Sequence, residues 1–99
     1  MTRWLATSKE ELILALLLEH GDLYGLELVE RAGGELKRGT VYVTLSRMQD
    51  KGLVEARPAP EGERTPGLPR PRYRITASGR AVLEARALLV RRGLAGAAS

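Results

Sequence analysis

The prolines of this chain are confined to one segment, and this confinement most limits what the chain can fold into. All five prolines lie between residues 57 and 71, together with Gly62 and Gly67. Because proline fixes φ and lacks a backbone N–H, this segment cannot be a helix or the interior of a sheet. The sequence therefore predicts a helical front part, one long loop, and a further element behind it.

The segments on either side of this loop have the character of short strands. Residues 53–56 read Leu-Val-Glu-Ala, and residues 72–75 alternate polar and apolar as Arg-Tyr-Arg-Ile. Strand, long loop and strand predict a β-hairpin with the shape of a wing over about residues 54–75. Five arginines lie along this hairpin: Arg57, Arg64, Arg70, Arg72 and Arg74. The alternative is a flexible surface hairpin with scattered charge.

The segment before the hairpin predicts an amphipathic helix over about residues 39–51, ended by Gly52. At about 100° per residue, the apolar side chains of Val41, Leu45 and Met48 share one side. The basic pair Lys37-Arg38 precedes this helix, and four residues project from roughly its opposite side: Thr40, Val43, Ser46 and Arg47. Small polar groups and a cation suit insertion into a DNA major groove. An ordinary surface helix is the alternative.

Two further helices are predicted in front of this one. Ser8 and Glu11 have the spacing of a capping box, and the apolar face that follows widens through Leu14 and Leu18, which favours a second packing surface. The second helix, from Tyr24 to about Ala32, is expected to have an inner face of Leu23, Leu26 and Val29, with Leu28 beside them.

Gly25 lies inside that second helix. Because glycine there costs about 1 kcal/mol relative to alanine, it indicates the close approach of another helix. The pair Gly33-Gly34 then breaks the chain. Two short helices separated by a tight break are typical of a helix-turn-helix.

The last helix, from Ala77 to about Arg92 and capped by Thr76, is apolar on two sides. One stripe holds Val82, Ala85, Leu88 and Leu89, and the other holds Leu83, Ala87 and Val90. A terminal helix of this kind usually has two neighbours, one of them often from another chain. We expect six residues to contribute to a homodimer: Trp4, Leu14, Leu18, Leu83, Ala87 and Val90. For Trp4, burial in the core of a single chain is an equally open alternative.

The charges are distributed unevenly. Residues 1–36 hold seven acidic and three basic side chains, whereas residues 37–99 hold thirteen basic and five acidic ones. Such asymmetry indicates that one part of the molecule faces a polyanion, although a solvated basic face is the alternative.

Several classes of protein are disfavoured. The chain has no cysteine and a single histidine, His20, for which a role at a helix C-terminus is expected, so we predict no metal and no cofactor. No paired carboxylates, nucleophile with a histidine partner, or phosphate-binding glycine motif is visible, and an enzyme is not expected. No signal peptide is visible and the longest apolar run, residues 12–18, is too short to span a bilayer, so a cytoplasmic location is expected.

The predicted fold class is mainly α with a small β-hairpin: a winged helix-turn-helix over residues 1–75, a C-terminal dimerisation helix over 76–92, and a flexible tail over 93–99. The amino-acid sequence of several segments resembles that of the PadR-like transcriptional regulators. The segments that carry the resemblance are residues 12–17 (LILALL), 24–28 (YGLEL), 34–36 (GEL), 39–42 (GTVY), 45–48 (LSRM), 51–54 (KGLV) and 72–80 (RYRITASGR).

The resemblance implies a homodimer that binds a pseudo-palindromic operator and usually represses, with the third helix in the major groove and the wing along the backbone or minor groove. It implies contact roles for Thr40, Tyr42 and Arg47. It also implies that Tyr24, at the start of the second helix, contacts phosphate or braces the recognition helix. Several relatives sense small aromatic ligands, and Trp4 is a candidate for stacking on such a ligand.

The sequence departs from the family in three places. Its second helix is short, Val43 stands where a proline is common, and the C-terminal region is a single short helix.

We therefore predict phosphate contacts from Lys37, Arg38, Arg70 and Arg72, which supply affinity. Base reading would come from Thr40, Val43, Ser46 and Arg47. The alternative function is a winged-helix module for protein–protein contacts, with an incidental basic face.

Overall fold

The structure is a computed structural model that describes residues 7–58 and 71–91. In these residues the elements follow the order α1 (Ser8–His20), β1 (Leu23–Tyr24), α2 (Gly25–Arg31), α3 (Arg38–Asp50), β2 (Val54–Arg57), β3 (Arg72–Ile75) and α4 (Ala77–Arg91). The strands form one antiparallel sheet in the order β1-β3-β2. This arrangement confirms the predicted winged-helix fold class.

Helix α1 begins one residue earlier than the sequence pattern indicated. Thr7, not Ser8, is the N-cap: its Oγ1 accepts from the Glu10 N–H at 3.2 Å, and the Glu10 carboxylate accepts from the Thr7 N–H at 2.9 Å. The Glu11 carboxylate lies 3.1 Å from Nε of Arg86 on α4. The predicted Ser8–Glu11 box is therefore wrong, because Glu11 pairs with α4 instead. The helix ends at Gly21, as expected, with φ of 84°.

Helix α2 is shorter than predicted because the chain before it joins the sheet. Leu23 pairs with Tyr73 and Tyr24 pairs with Arg72, so these residues form β1 and α2 begins only at Gly25. The buried residues of α2 are Gly25 and Leu28, whereas Leu26 and Val29 are half-buried. Leu23 is buried as expected, although in β1, and Leu28, expected beside the inner face, has no exposed surface.

The two strands of the predicted wing are confirmed. β2 and β3 pair in antiparallel register from Val54–Ile75 to Arg57–Arg72. Arg74 Nε and Glu55 Oε2, on directly opposed residues, lie 4.0 Å apart. The loop over residues 59–70 lies outside the described residues.

The core lies between α1, α3 and the sheet. Its fully buried side chains include Ile13, Leu14, Val41, Leu45 and Met48. Leu14 has no exposed surface, so its predicted place in a dimer surface is wrong. It is buried because α4 crosses α1 here: a Cβ added at Gly79 would lie 3.1 Å from Leu14 Cδ2.

Helix α4 is fastened to the base of the wing. Thr76 caps it as predicted: its Oγ1 accepts from the Gly79 N–H at 3.0 Å and donates to the Gly52 carbonyl at 2.6 Å. A Cβ at Gly79 would collide with the Leu53 carbonyl oxygen, so only glycine permits this approach.

None of the helices described in the structure is long and apolar enough to cross a membrane.

The two apolar stripes predicted for α4 divide differently in the structure. Val82 and Leu83 both pack partly against the core. Ala87, Leu88 and Val90 are exposed, as is Leu18 of α1. Exposed apolar side chains thus remain on both α1 and α4 in the described part of the chain.

Candidate nucleic-acid interface

Helix α3 has one fully buried side and one exposed side, as its sequence predicts. Val41, Leu45 and Met48 have no exposed surface. The exposed residues Thr40, Val43, Ser46 and Arg47 are called here the outward side of α3. This side presents two hydroxyls, one aliphatic group and one guanidinium, which together can bond to and pack against base edges. Asp50 is also exposed, at the C-terminal end of the helix.

The N-terminus of α3 is open and basic. Lys37 is the N-cap residue, but its side chain makes no capping hydrogen bond. Lys37, Arg38 and Gly39 are all exposed, and a Cβ at Gly39 would meet nothing within 4 Å. Uncapped N–H groups, the positive end of the helix dipole and two cations favour an anion such as a phosphate at this end.

The other end of α3 is closed by its own backbone. The N–H of Gly52 donates to Gln49 O and the N–H of Leu53 donates to Met48 O, both at 2.9 Å. Gly52 has φ of 76°, which glycine adopts without strain. This is the Schellman pattern, and it turns the chain directly into β2.

A buried ion pair holds α3 against α1. Glu10 is 2% exposed and is the one buried charged residue in the described part of the chain. Lys51 Nζ, just after α3, lies 2.9 Å from Glu10 Oε1 and 3.1 Å from Oε2. The same Oε1 accepts from the Thr7 N–H, so the carboxylate is well satisfied. Sequence spacing does not indicate this pair, because its two residues lie 41 positions apart.

Tyr42 packs α3 against the start of α2. A Cβ added at Gly25 would lie 2.6 to 2.8 Å from Cε1, Cζ and the hydroxyl oxygen of Tyr42. The close helix approach predicted at Gly25 is therefore confirmed, and the tyrosine ring causes it. Tyr42 keeps 46% exposure, so its ring has a packed side and a solvent side.

Tyr73 of β3 lies in the same neighbourhood. It is 6% exposed, and burial raises the pKa of its phenol, with a smaller contribution from Tyr42 in the same direction. Tyr73 is therefore a neutral packing group at neutral pH.

Tyr24 and Arg72 join the start of α2 to the wing. The Arg72 guanidinium carbon lies 5.1 Å from the centre of the Tyr24 ring, a distance typical of a cation–π contact. Arg72 is half-buried, and the backbone N–H of Tyr24 donates to Glu27 Oε1 at 2.8 Å. The Tyr24 ring therefore contacts strand β3 of the wing through Arg72.

Two further residues predicted to belong to the site, Arg70 and Trp4, lie outside the described residues. His20 occupies the last turn of α1, with Nε2 3.9 Å from Glu19 Oε1. Within residues 7–58 and 71–91, no group of three or more His, Asp or Glu side chains could hold a metal ion.

The fold and this surface define the class as a DNA-binding winged helix. Residues 13–85 match the model of the transcriptional regulator PadR-like family, which is most of the chain. The chain belongs to this family. A search of curated proteins finds no match.

Solved structures agree with this assignment. A PadR family transcription regulator from Clostridium difficile R20291 is 34% identical, with a TM-score of 0.67 over 83% of this chain and 85% of that one. PcaV from Streptomyces coelicolor, solved with its natural ligand, is 26% identical, with a TM-score of 0.74 over 88% of this chain.

Bacillus subtilis PadR, solved with operator DNA, is 24% identical with a TM-score of 0.66 over 79% of this chain, and this likeness concerns the fold alone. The chain spans 57% of PcaV and 45% of Bacillus subtilis PadR.

Proposed function

We propose that this regulator is a homodimeric repressor that binds a pseudo-palindromic operator in duplex DNA. The observation that carries the proposal is the exposed outward side of α3, beside an open, basic helix N-terminus. The function is binding, with no catalytic step.

Affinity and sequence preference come from different residues. Lys37 and Arg38 at the start of α3 contact phosphates, together with Arg72 of β3 and with Arg70, which lies outside the described residues. The outward side of α3 reads base edges. Because phosphates would repel Asp50, the last residue of α3 lies away from the DNA backbone, and the base-reading side extends from Thr40 to Arg47. Tyr42 contributes its solvent edge, and Tyr24 holds Arg72 in place.

The exposed apolar surface supports a dimer. Leu18, Ala87 and Val90 are exposed on α1 and α4, and Leu83 adds a partly exposed side chain. Burying this surface in a two-fold pair would present two copies of α3 to half-sites about one helical turn, or roughly 34 Å, apart. We propose that Trp4, predicted from the sequence to contribute to the dimer, is also part of this interface.

Repression follows from occupancy of an operator by such a dimer. We also propose that a small aromatic effector regulates the protein. Trp4 could stack on such a ligand, and the similar regulator PcaV was solved with its natural ligand. Quenching of the fluorescence of the sole tryptophan by planar ligands tests this site. Unchanged fluorescence with every ligand tried would argue against a site at Trp4.

The division of roles on α3 is tested with Arg47→Ala and Arg38→Ala, two exposed arginines of one helix. Arg47→Ala should relax the preference at one operator position by about 1–3 kcal/mol, because a bidentate base contact is lost. Arg38→Ala should weaken binding to all sequences alike and reduce the salt slope by about 1, because a phosphate contact is lost. Binding titrations at several salt concentrations measure both. Equal, sequence-independent losses from the two variants would contradict the assignment.

A further inference from the structure

The outward side of α3 has an apolar centre. Val43 is 52% exposed, although its two methyl groups gain nothing from water. At about 100° per residue, Arg47 and Thr40 lie on one flank of Val43, within about 60°, and Ser46 lies at a similar angle on the other. A β-branched side chain is also a poor choice for an exposed helix position on propensity alone.

Two threonine hydroxyl groups near Val43 donate their hydrogens to the backbone. Thr40 Oγ1 donates to the Lys37 carbonyl at 3.3 Å, and Thr44 Oγ1 donates to the Thr40 carbonyl at 3.0 Å. Thr40 therefore offers an acceptor oxygen and a methyl group to an approaching molecule. The centre of this surface can pack against an apolar group and accept a hydrogen bond, and Arg47 is its charged donor.

These properties match one kind of base pair. In the major groove an A·T pair presents the thymine C5 methyl and the adenine N6 donor, whereas a G·C pair presents no methyl group. We infer that Val43 is a specificity-determining residue that packs against a thymine methyl in each operator half-site. Thr40 Oγ1 is placed to accept from the adenine of that pair. This inference rests on the proposed function.

The position of Arg47 extends the inference to a second base. It lies four residues after Val43, which is about 6 Å along the helix axis. Arginine reads guanine through O6 and N7. The half-site should therefore hold a guanine within one or two base pairs of the thymine that Val43 contacts.

Removal of a single methyl group from DNA tests the contact. Duplexes selected by the wild-type protein from a random pool are remade with each half-site thymidine replaced, one at a time, by deoxyuridine, which lacks only the C5 methyl. We expect one replacement to weaken wild-type binding about four-fold, the effect of one buried methyl group. Val43→Ala should bind the thymidine and deoxyuridine duplexes equally well.

Val90→Ala is the matched control, because Val90 is a similarly exposed valine at 56%, on α4. It should leave the ratio between the two duplexes as in the wild type, whatever it does to binding of both. The inference is overturned if no replacement weakens binding to a selected duplex, or if Val43→Ala keeps the wild-type ratio. If no sequence is enriched at all, the proposed function itself is overturned.

Discussion

At the scale of single residues, the surface of α3 depends on side chains that do two things at once. Tyr42 packs its ring edge on the backbone of Gly25 and shows its other side to solvent. Arg72 stacks on Tyr24 and so carries its charge from a fixed place on the wing. Each of these side chains packs within the protein and is also proposed to contact DNA. If replacing Tyr42 or Arg72 weakens DNA binding, the loss would therefore combine the loss of packing and the loss of the DNA contact.

Gly25 should tolerate no side chain while Tyr42 is present. Gly25→Ala should lower the free energy of unfolding by about 1–3 kcal/mol, because its methyl group would overlap the Tyr42 ring. Denaturant unfolding measures this. In a Tyr42→Leu background, which removes the overlapping atoms, the same substitution should be close to neutral.

Gly39→Ala is the matched control for this prediction, since a Cβ there meets nothing within 4 Å. It should be neutral or stabilising by up to about 1 kcal/mol. If Gly25→Ala is as harmless as Gly39→Ala, Tyr42 does not set the distance between α2 and α3.

At the scale of elements, the helices and the wing strands could be predicted from the sequence because their signals are local. The spacing of Val41, Leu45 and Met48 identifies the buried side of α3, and Gly21 and Gly52 identify helix ends. The strand β1 could not be predicted, because two residues carry no period and their pairing with β3 depends on residues about 50 positions away. For the same reason the Glu10–Lys51 pair was not foreseen.

The Glu10–Lys51 pair fixes where α3 ends against α1. Lys51→Met should lower the free energy of unfolding by about 1–3 kcal/mol, because it leaves a buried carboxylate with too few partners, a cost reduced by the part exposure of Lys51. Glu10→Gln combined with Lys51→Met should recover most of this loss, since the buried charge is gone. Urea unfolding at one protein concentration measures both. A single variant as stable as the wild type would show that the pair contributes nothing.

At the scale of the whole molecule, the assignments depend on surfaces that only the fold brings together. Leu14 and Leu18 both widen the apolar face of α1 in the sequence, yet Leu14 is buried by α4 and Leu18 is exposed. Sequence periodicity cannot make this distinction, because it does not tell which neighbour covers which side. The proposed dimer residues are accordingly fewer than those predicted, and they include Leu18 on α1 with Ala87 and Val90 on α4.

The central claim is that two copies of α3 read one operator together. Selection of bound duplexes from a random pool by the wild-type protein tests it most directly. We predict enrichment of an inverted repeat whose half-site centres lie about 10–10.5 base pairs, or a multiple of that, apart. Enrichment of a single unrepeated site, or no enrichment over the starting pool, would contradict the account.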